Sequence, residues 1–134
     1  MGSALVVLDA SAAVDLVAGR PAAAVVEDAL RGEQVQVPAH FDAEALAGIR
    51  RLVRKRLLSP DQGAKVLARL QSMQVDRVPL PPLLAAAFAE RDRFSPHDAL
   101  YAVLARRESA TLVTADERLA RACEGFVDVT LARG

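Results

Sequence analysis

Apolar residues in this chain form either short unbroken runs or longer stretches at helical spacing, and the two patterns alternate. The first run, Ala4-Leu5-Val6-Val7-Leu8, ends abruptly in Asp9. A run without polar alternation reads as a strand covered on both faces, as in a parallel sheet between helices. Ser11 then reads as the N-cap of a short helix carrying Val14, Leu16 and Val17 and closed by Gly19. Pro21 opens a second helix over about 22–30, with Gly32 as its stop. Val35 to Val37 form a short strand halted by Pro38, and the longest helical pattern follows over 41–58. Ser59 and Pro60 cap and start another helix, with Val66, Leu67 and Leu70 facing inward. A third strand is expected over 75–80, a helix from Pro81-Pro82 to about 93, and another helix from Ser95-Pro96. Thr111-Leu112-Val113-Thr114 reads as a fourth strand, 116–123 as a helix and 126–131 as a last strand.

Strands alternating with helices predict an α/β fold with a mainly parallel central sheet. Asp9 then emerges at the carboxyl edge of a central strand, the edge where open α/β sheets bind ligands. The pattern holds no repeat, linker or low-complexity tract, so a single domain over residues 1–134 is expected.

Composition narrows this only in part. Seventeen basic against seventeen acidic residues leave no net charge, so only a local patch could mark a nucleic-acid partner. The single cysteine, Cys123, excludes an internal disulfide and a thiolate metal cage, and suits a reducing cytoplasm. Met1-Gly2-Ser3 lacks the features of a secretory leader, and Val6 stands where an acylation signal needs Ser or Thr. No apolar run approaches the roughly 20 residues that span a bilayer. The expectation is a cytoplasmic protein with no membrane partner.

Four acids draw attention by position. Asp9 and Asp116 each follow a predicted strand, which brings two carboxylates to one sheet edge. Asp98 lies in the first turn of a helix whose body, Ala99 to Ala105, is apolar nearly all round and therefore buried. At roughly 100° per residue, Leu46, Ile49, Leu52 and Val53 form a buried stripe with Glu44 at its edge; Gly48, Arg51 and Lys55 continue the line of Glu44. Each acid alone reads equally as a cap or as a complement to a helix dipole. Clustered together, they would repel one another, and a divalent cation would relieve that repulsion. An all-oxygen set selects Mg²⁺ or Mn²⁺ over zinc.

The order Leu-Val-Val-Leu-Asp9-Ala-Ser, Val-Pro-Ala-His-Phe-Asp-Ala-Glu44, His-Asp98-Ala-Leu-Tyr and Leu-Val-Thr-Ala-Asp116 resembles the PIN-domain nucleases. Within them it is most similar to the VapC toxins of type II toxin–antitoxin pairs, over residues 5–129. The resemblance implies a three-layer α/β/α sandwich with Asp9, Glu44, Asp98 and Asp116 as catalytic residues around Mg²⁺ or Mn²⁺. Ser11 and Thr114 match the family's hydroxyl residues, which orient carboxylates or water. It further implies metal-dependent hydrolysis of RNA phosphodiesters, a cognate antitoxin that covers the active site, and a homodimer. The apolar stretches at 41–58 and 60–72 are candidates for the antitoxin groove.

Arg50, Arg51, Arg54, Lys55 and Arg56 form the one dense basic run. Arg51 and Lys55 read either as a track leading RNA phosphates toward the acids or as a solvated helix face. Aromatic residues are only 4% of the chain, which favours a structured RNA recognised by shape over base stacking. Phe41 and Tyr101 are expected in the core, His40 in a local contact near Pro38, and His97 at an exposed helix start. Asp15, Asp42 and Asp92 are expected on the surface. Two rival chemistries remain. An aspartyl-phosphate mechanism would want a second acid where Ser11 stands, or paired acids with a late lysine, and the chain offers neither. A catalytically silent acidic pocket that binds a partner's arginine fits the same four acids.

Overall fold

The computed structural model describes residues 4–134; Met1-Gly2-Ser3 lie outside the described residues. The elements run β1 (Leu5–Leu8), α1 (Ala10–Val17), α2 (Ala23–Leu30), β2 (Gln34–Pro38), α3 (Phe41–Arg54), α4 (Pro60–Ser72), β3 (Asp76–Val78), α5 (Leu84–Ala89), α6 (Pro96–Arg107), β4 (Thr111–Thr114), α7 (Glu117–Ala122) and β5 (Val129–Leu131). All strand pairings are parallel, in the order β3-β2-β1-β4-β5. Right-handed crossovers put α1 to α4 on one face of this sheet and α5 to α7 on the other. Accordingly α1 packs on α2, α3 and α4, while α5 packs on α6, and α6 lies across β1, β2 and β4. The result is the expected three-layer α/β/α sandwich.

The middle strand β1 is an unbroken apolar run, and its neighbour β4 carries an apolar pair between two threonines. Val6, Val7, Leu8, Leu112 and Val113 are all buried, which follows from helices covering both sheet faces. Every residue of α6 from Ala99 to Ala105 is buried too, as its all-round apolarity requires. Phe41 and Tyr101 belong to this core.

Local signals act as read at α4, where Ser59 Oγ accepts from Gln62 N at 3.1 Å and Gln62 Oε1 accepts from Ser59 N at 2.8 Å. Elsewhere the elements are shorter than the pattern. The helix expected over 41–58 ends at Arg54, because Arg56 takes a left-handed φ of 61° and Leu57 N turns back to Leu52 O at 2.9 Å. The outer strands β3 and β5 are three residues each, and Pro81–Leu83 form a 3₁₀ turn before α5, which stops at Ala89 instead of running to 93. Both outer strands pair on one side only, so fewer residues are held in the ladder.

The buried line of α3 is Phe41, Ala45 and Ile49, and Leu46 is 53% exposed, contrary to the stripe read from periodicity. The reason is the neighbour: α3 packs against α1, and a Cβ on Gly48 would meet Val14 Cγ2 at 3.3 Å. Gly48 thus permits the close crossing of α1 and α3 that sets Glu44 beside the end of β1. What approaches this glycine is a helix of the same chain.

Candidate active site

β1 and β4 are neighbours, yet the chain leaves β1 toward one side of the sheet and returns to β4 from the other. Such a switch point opens a crevice at the carboxyl ends of the strands. Asp9 and Asp116 flank it. Asp9 N continues the ladder by donating to Val113 O at 2.9 Å. Asp9 also stands at the N-cap position of α1, but its side chain caps nothing.

Its carboxylate is held by two hydroxyls instead. Ser11 Oγ donates to Asp9 Oδ2 at 2.6 Å and Thr114 Oγ1 donates to the same oxygen at 2.7 Å. Each hydroxyl in turn accepts a backbone N–H, Ser11 from Ala115 at 3.1 Å and Thr114 from Asp116 at 3.0 Å. Ser11 is therefore not the N-cap that its position suggested. It lies inside α1 and ties the start of that helix to the end of β4, because Asp9 already occupies the cap position. Thr114 is fully buried and Asp9 is 7% exposed. Burial lifts the Asp9 carboxyl from 3.8 to about 6; the two hydroxyl bonds oppose that rise, and the charges of Glu44 and Asp98 add to it.

Asp116 acts as the helix cap that its position suggested. It caps α7, its Oδ1 accepting from Arg118 N at 2.9 Å and Leu119 N at 3.4 Å, and it lines the same cleft as Asp9. The cap occupies one oxygen and leaves Oδ2 without a protein donor among the described residues. Asp98 sits in the first turn of α6, where Ser95 Oγ accepts from its backbone N–H at 3.3 Å. Burial, then the charge of Asp116, raises the Asp98 carboxyl above the usual range. Glu44 comes from the first turn of α3, and its Oε1 and Oε2 lie 3.5 Å from His40 Nε2 and 3.6 Å from His97 Nδ1.

Asp9, Ser11, Glu44, Asp98 and Asp116 line one cleft of about 400 Å³ with Arg51 and Lys55. Arg50 and Arg54 of the basic run face a different groove, between α3 and α4. Asp42 is on the surface, as expected, bound through both oxygens to Arg77 at 2.6 and 2.8 Å. Asp92 is exposed, and Asp15, expected there too, is half-buried in the cleft wall.

His40 is the residue whose surroundings the sequence reading missed, since that reading expects only a local contact near Pro38. Its Nε2 lies 3.1 Å from the His97 carbonyl oxygen, and its ring packs on Tyr101 with centroids 4.9 Å apart. Burial holds its imidazole below the usual range, against the opposing pull of Glu44. The signal available in the sequence was its spacing, four residues before Glu44 on one helix face. His97 is 72% exposed at the start of α6, as expected.

Among the described residues no three His, Cys, Asp or Glu side chains close into a ready cation cage. The donor set still suits a hard cation. Every carboxylate offers oxygen only, and Asp9 Oδ1 and Asp116 Oδ2 take no protein hydrogen bond among the described residues. Mg²⁺ binds few carboxylates directly and keeps several of its waters, so it needs a charged cleft more than a closed cage. No helix among the described residues is long and apolar enough to cross a membrane.

The family profile described as PIN domain matches residues 6–125. Ribonuclease VapC12 of Mycobacterium tuberculosis is 42% identical over 117 residues, which are 87% of this chain and 91% of that protein. The crystal structure of VapBC2 from Rickettsia felis, bound to a DNA fragment from their promoter, matches with a TM-score of 0.66 at 16% identity, covering 96% of this chain and 99% of the other. A toxin-antitoxin complex from Klebsiella pneumoniae matches with a TM-score of 0.65 at 20% identity, covering 96% of each chain.

Proposed function

This chain belongs to the PIN-domain family, and on that premise we propose that it is a divalent-cation-dependent endoribonuclease, the toxin of a type II toxin–antitoxin pair. The observation that carries the reading is the cleft at the β1/β4 switch point, where carboxylates from four separate elements meet around a buried Asp9. Names support it as well: the relative at 42% identity is a ribonuclease VapC. The whole of residues 1–134 is taken as one PIN-like domain working in the cytoplasm.

Asp9, Glu44, Asp98 and Asp116 would hold Mg²⁺ or Mn²⁺. When bound, the cation supplies positive charge to an RNA phosphodiester undergoing hydrolysis and makes a nearby water more acidic. Ser11 and Thr114 fix Asp9 through Oδ2, which leaves Oδ1 for the cleft. Burial, then the charge of Asp116, raises the Asp98 carboxyl above the usual range, a cost that a bound cation would relieve. Arg51 and Lys55, on the same cleft wall, would take phosphates beside the scissile one.

The groove between α3 and α4, lined by Leu46, Ile49, Val53 and Leu67 with Arg50 and Arg54 beside them, supports docking of an antitoxin segment. A homodimer is part of the same reading.

The test is incubation of purified, antitoxin-free protein with total cellular RNA in Mg²⁺, Mn²⁺ or EDTA, with new 5′ ends mapped by sequencing. Discrete ends that need the cation and vanish in Asp98→Ala are expected. No cleavage under either cation, from a folded and uninhibited protein, overturns the nuclease reading and leaves a pocket that binds a partner's arginine.

A further inference from the structure

Glu44 differs from the other three acids of the cleft. Asp9 is fixed by hydroxyls and Asp116 by its own helix, but among the described residues no hydroxyl or backbone N–H donates to Glu44 in good hydrogen-bond geometry, and the one hydroxyl beside it is that of Tyr101. Its neighbours are the two histidines of the chain. They are unequal, since the His97 side chain is 72% exposed and that of His40 only 11%.

Both atoms facing His40 Nε2, the His97 carbonyl oxygen and Glu44 Oε1, are acceptors, so Nε2 carries the ring proton. Nδ1 is buried without a partner, which suits the bare nitrogen of that tautomer. The Tyr101 ring, 0% exposed, lies against the imidazole at 4.9 Å and restricts its rotation. Among the described residues the Tyr101 hydroxyl is also buried without a well-formed hydrogen bond, and burial first, then the charges of Asp9 and Glu44, raise its pKa.

We infer that His40, wedged against Tyr101 between the starts of α3 and α6, is a positioning residue that aims the Glu44 carboxylate at a cation in the cleft through the 3.5 Å approach of Nε2 to Oε1. This rests on the metal-centre reading above. One N–H fixed by the His97 carbonyl holds α3 and α6 in register, so Glu44 and Asp98 face the cleft together. Loss of such a supporting contact commonly weakens a metal site about 10- to 100-fold.

The test compares Mn²⁺ binding by titration calorimetry in the whole, RNA-free protein for wild type, His40→Phe, His40→Gln and Asp98→Ala. Phenylalanine keeps the ring against Tyr101 and removes the donor, whereas glutamine restores an N–H near the place of Nε2. His40→Phe is expected to melt close to wild type in EDTA, bind Mn²⁺ about tenfold more weakly and regain cleavage at excess Mn²⁺, and His40→Gln to bind within about threefold of wild type. Should His40→Phe fail to fold, His40→Asn replaces it, because its shorter amide cannot reach Glu44. Near-wild-type Mn²⁺ binding by the donorless variant, or a glutamine variant no better than it, overturns the inference while Asp98→Ala still abolishes binding. Wild type that binds no Mn²⁺, or Asp98→Ala that binds it normally, overturns the metal-centre reading and this inference with it.

Discussion

Replacing Asp9 by Asn removes a negative charge from the one buried carboxylate among the described residues and leaves its shape unchanged. The asparagine Oδ1 can accept both hydroxyl protons that now go to Oδ2. In the cation-free protein this substitution should stabilise. The folded carboxyl titrates at about 6 and the unfolded one at 3.8, so between those values the folded state holds a proton that the unfolded state has lost. Stability therefore falls as pH rises through that window and stays low above it. The difference is about two pH units at 1.36 kcal/mol each, so ionised Asp9 costs the fold about 3 kcal/mol at neutral pH. Urea unfolding followed by circular dichroism in EDTA measures this directly. Asp9→Asn should be more stable by about 2–3 kcal/mol at pH 7.5, and the gap should close as pH falls from about 6 to about 4. A bound cation at a hundredfold excess over its Kd should return about 2.7 kcal/mol to wild type and nothing to the variant. A variant no more stable than wild type at pH 7.5, or a gap that ignores pH, would refute the claim that burial dominates at Asp9.

Thr114→Val keeps the shape of a fully buried side chain but strips Asp9 of one donor and leaves Asp116 N–H without its acceptor. Thermal or urea unfolding should show a loss of about 2 kcal/mol, and an unchanged midpoint would mean the hydroxyl bonds contribute nothing net. Arg51→Gln and Lys55→Gln should each flatten the salt dependence of RNA binding in EDTA by about one logarithmic unit per decade of salt, with stability unchanged. An unaltered slope in both would make this stretch of α3 a solvated face.

The sequence by itself determined whatever nearest neighbours and periodicity control. The apolar run at 5–8 and the Leu112-Val113 pair between Thr111 and Thr114 mark strands covered on both faces, because successive side chains of a strand point in opposite directions. Ser59-Pro60 and Ser95-Pro96 were legible as helix starts from adjacent residues, and at Ser59 the structure adds the reciprocal bond with Gln62. The four acids were legible as strand-end and first-turn residues, and their order carried the family resemblance.

Tertiary structure decided everything that depends on partners distant in sequence. Ser11 looks like a cap until β4 brings Thr114, 103 residues later, beside the same carboxylate. Leu46 fits the apolar period of its helix as well as Ile49 does, and only the place where α1 crosses at Gly48 buries one and exposes the other. His40 is held beside Glu44 because α6 arrives with the His97 carbonyl 57 residues downstream. Periodicity states that a helix has an inner face, but the direction of that face is fixed by the neighbour against which it packs. The raised Asp9 pKa has the same origin, since burial and facing charges exist only once sheet and helices have closed around the strand end.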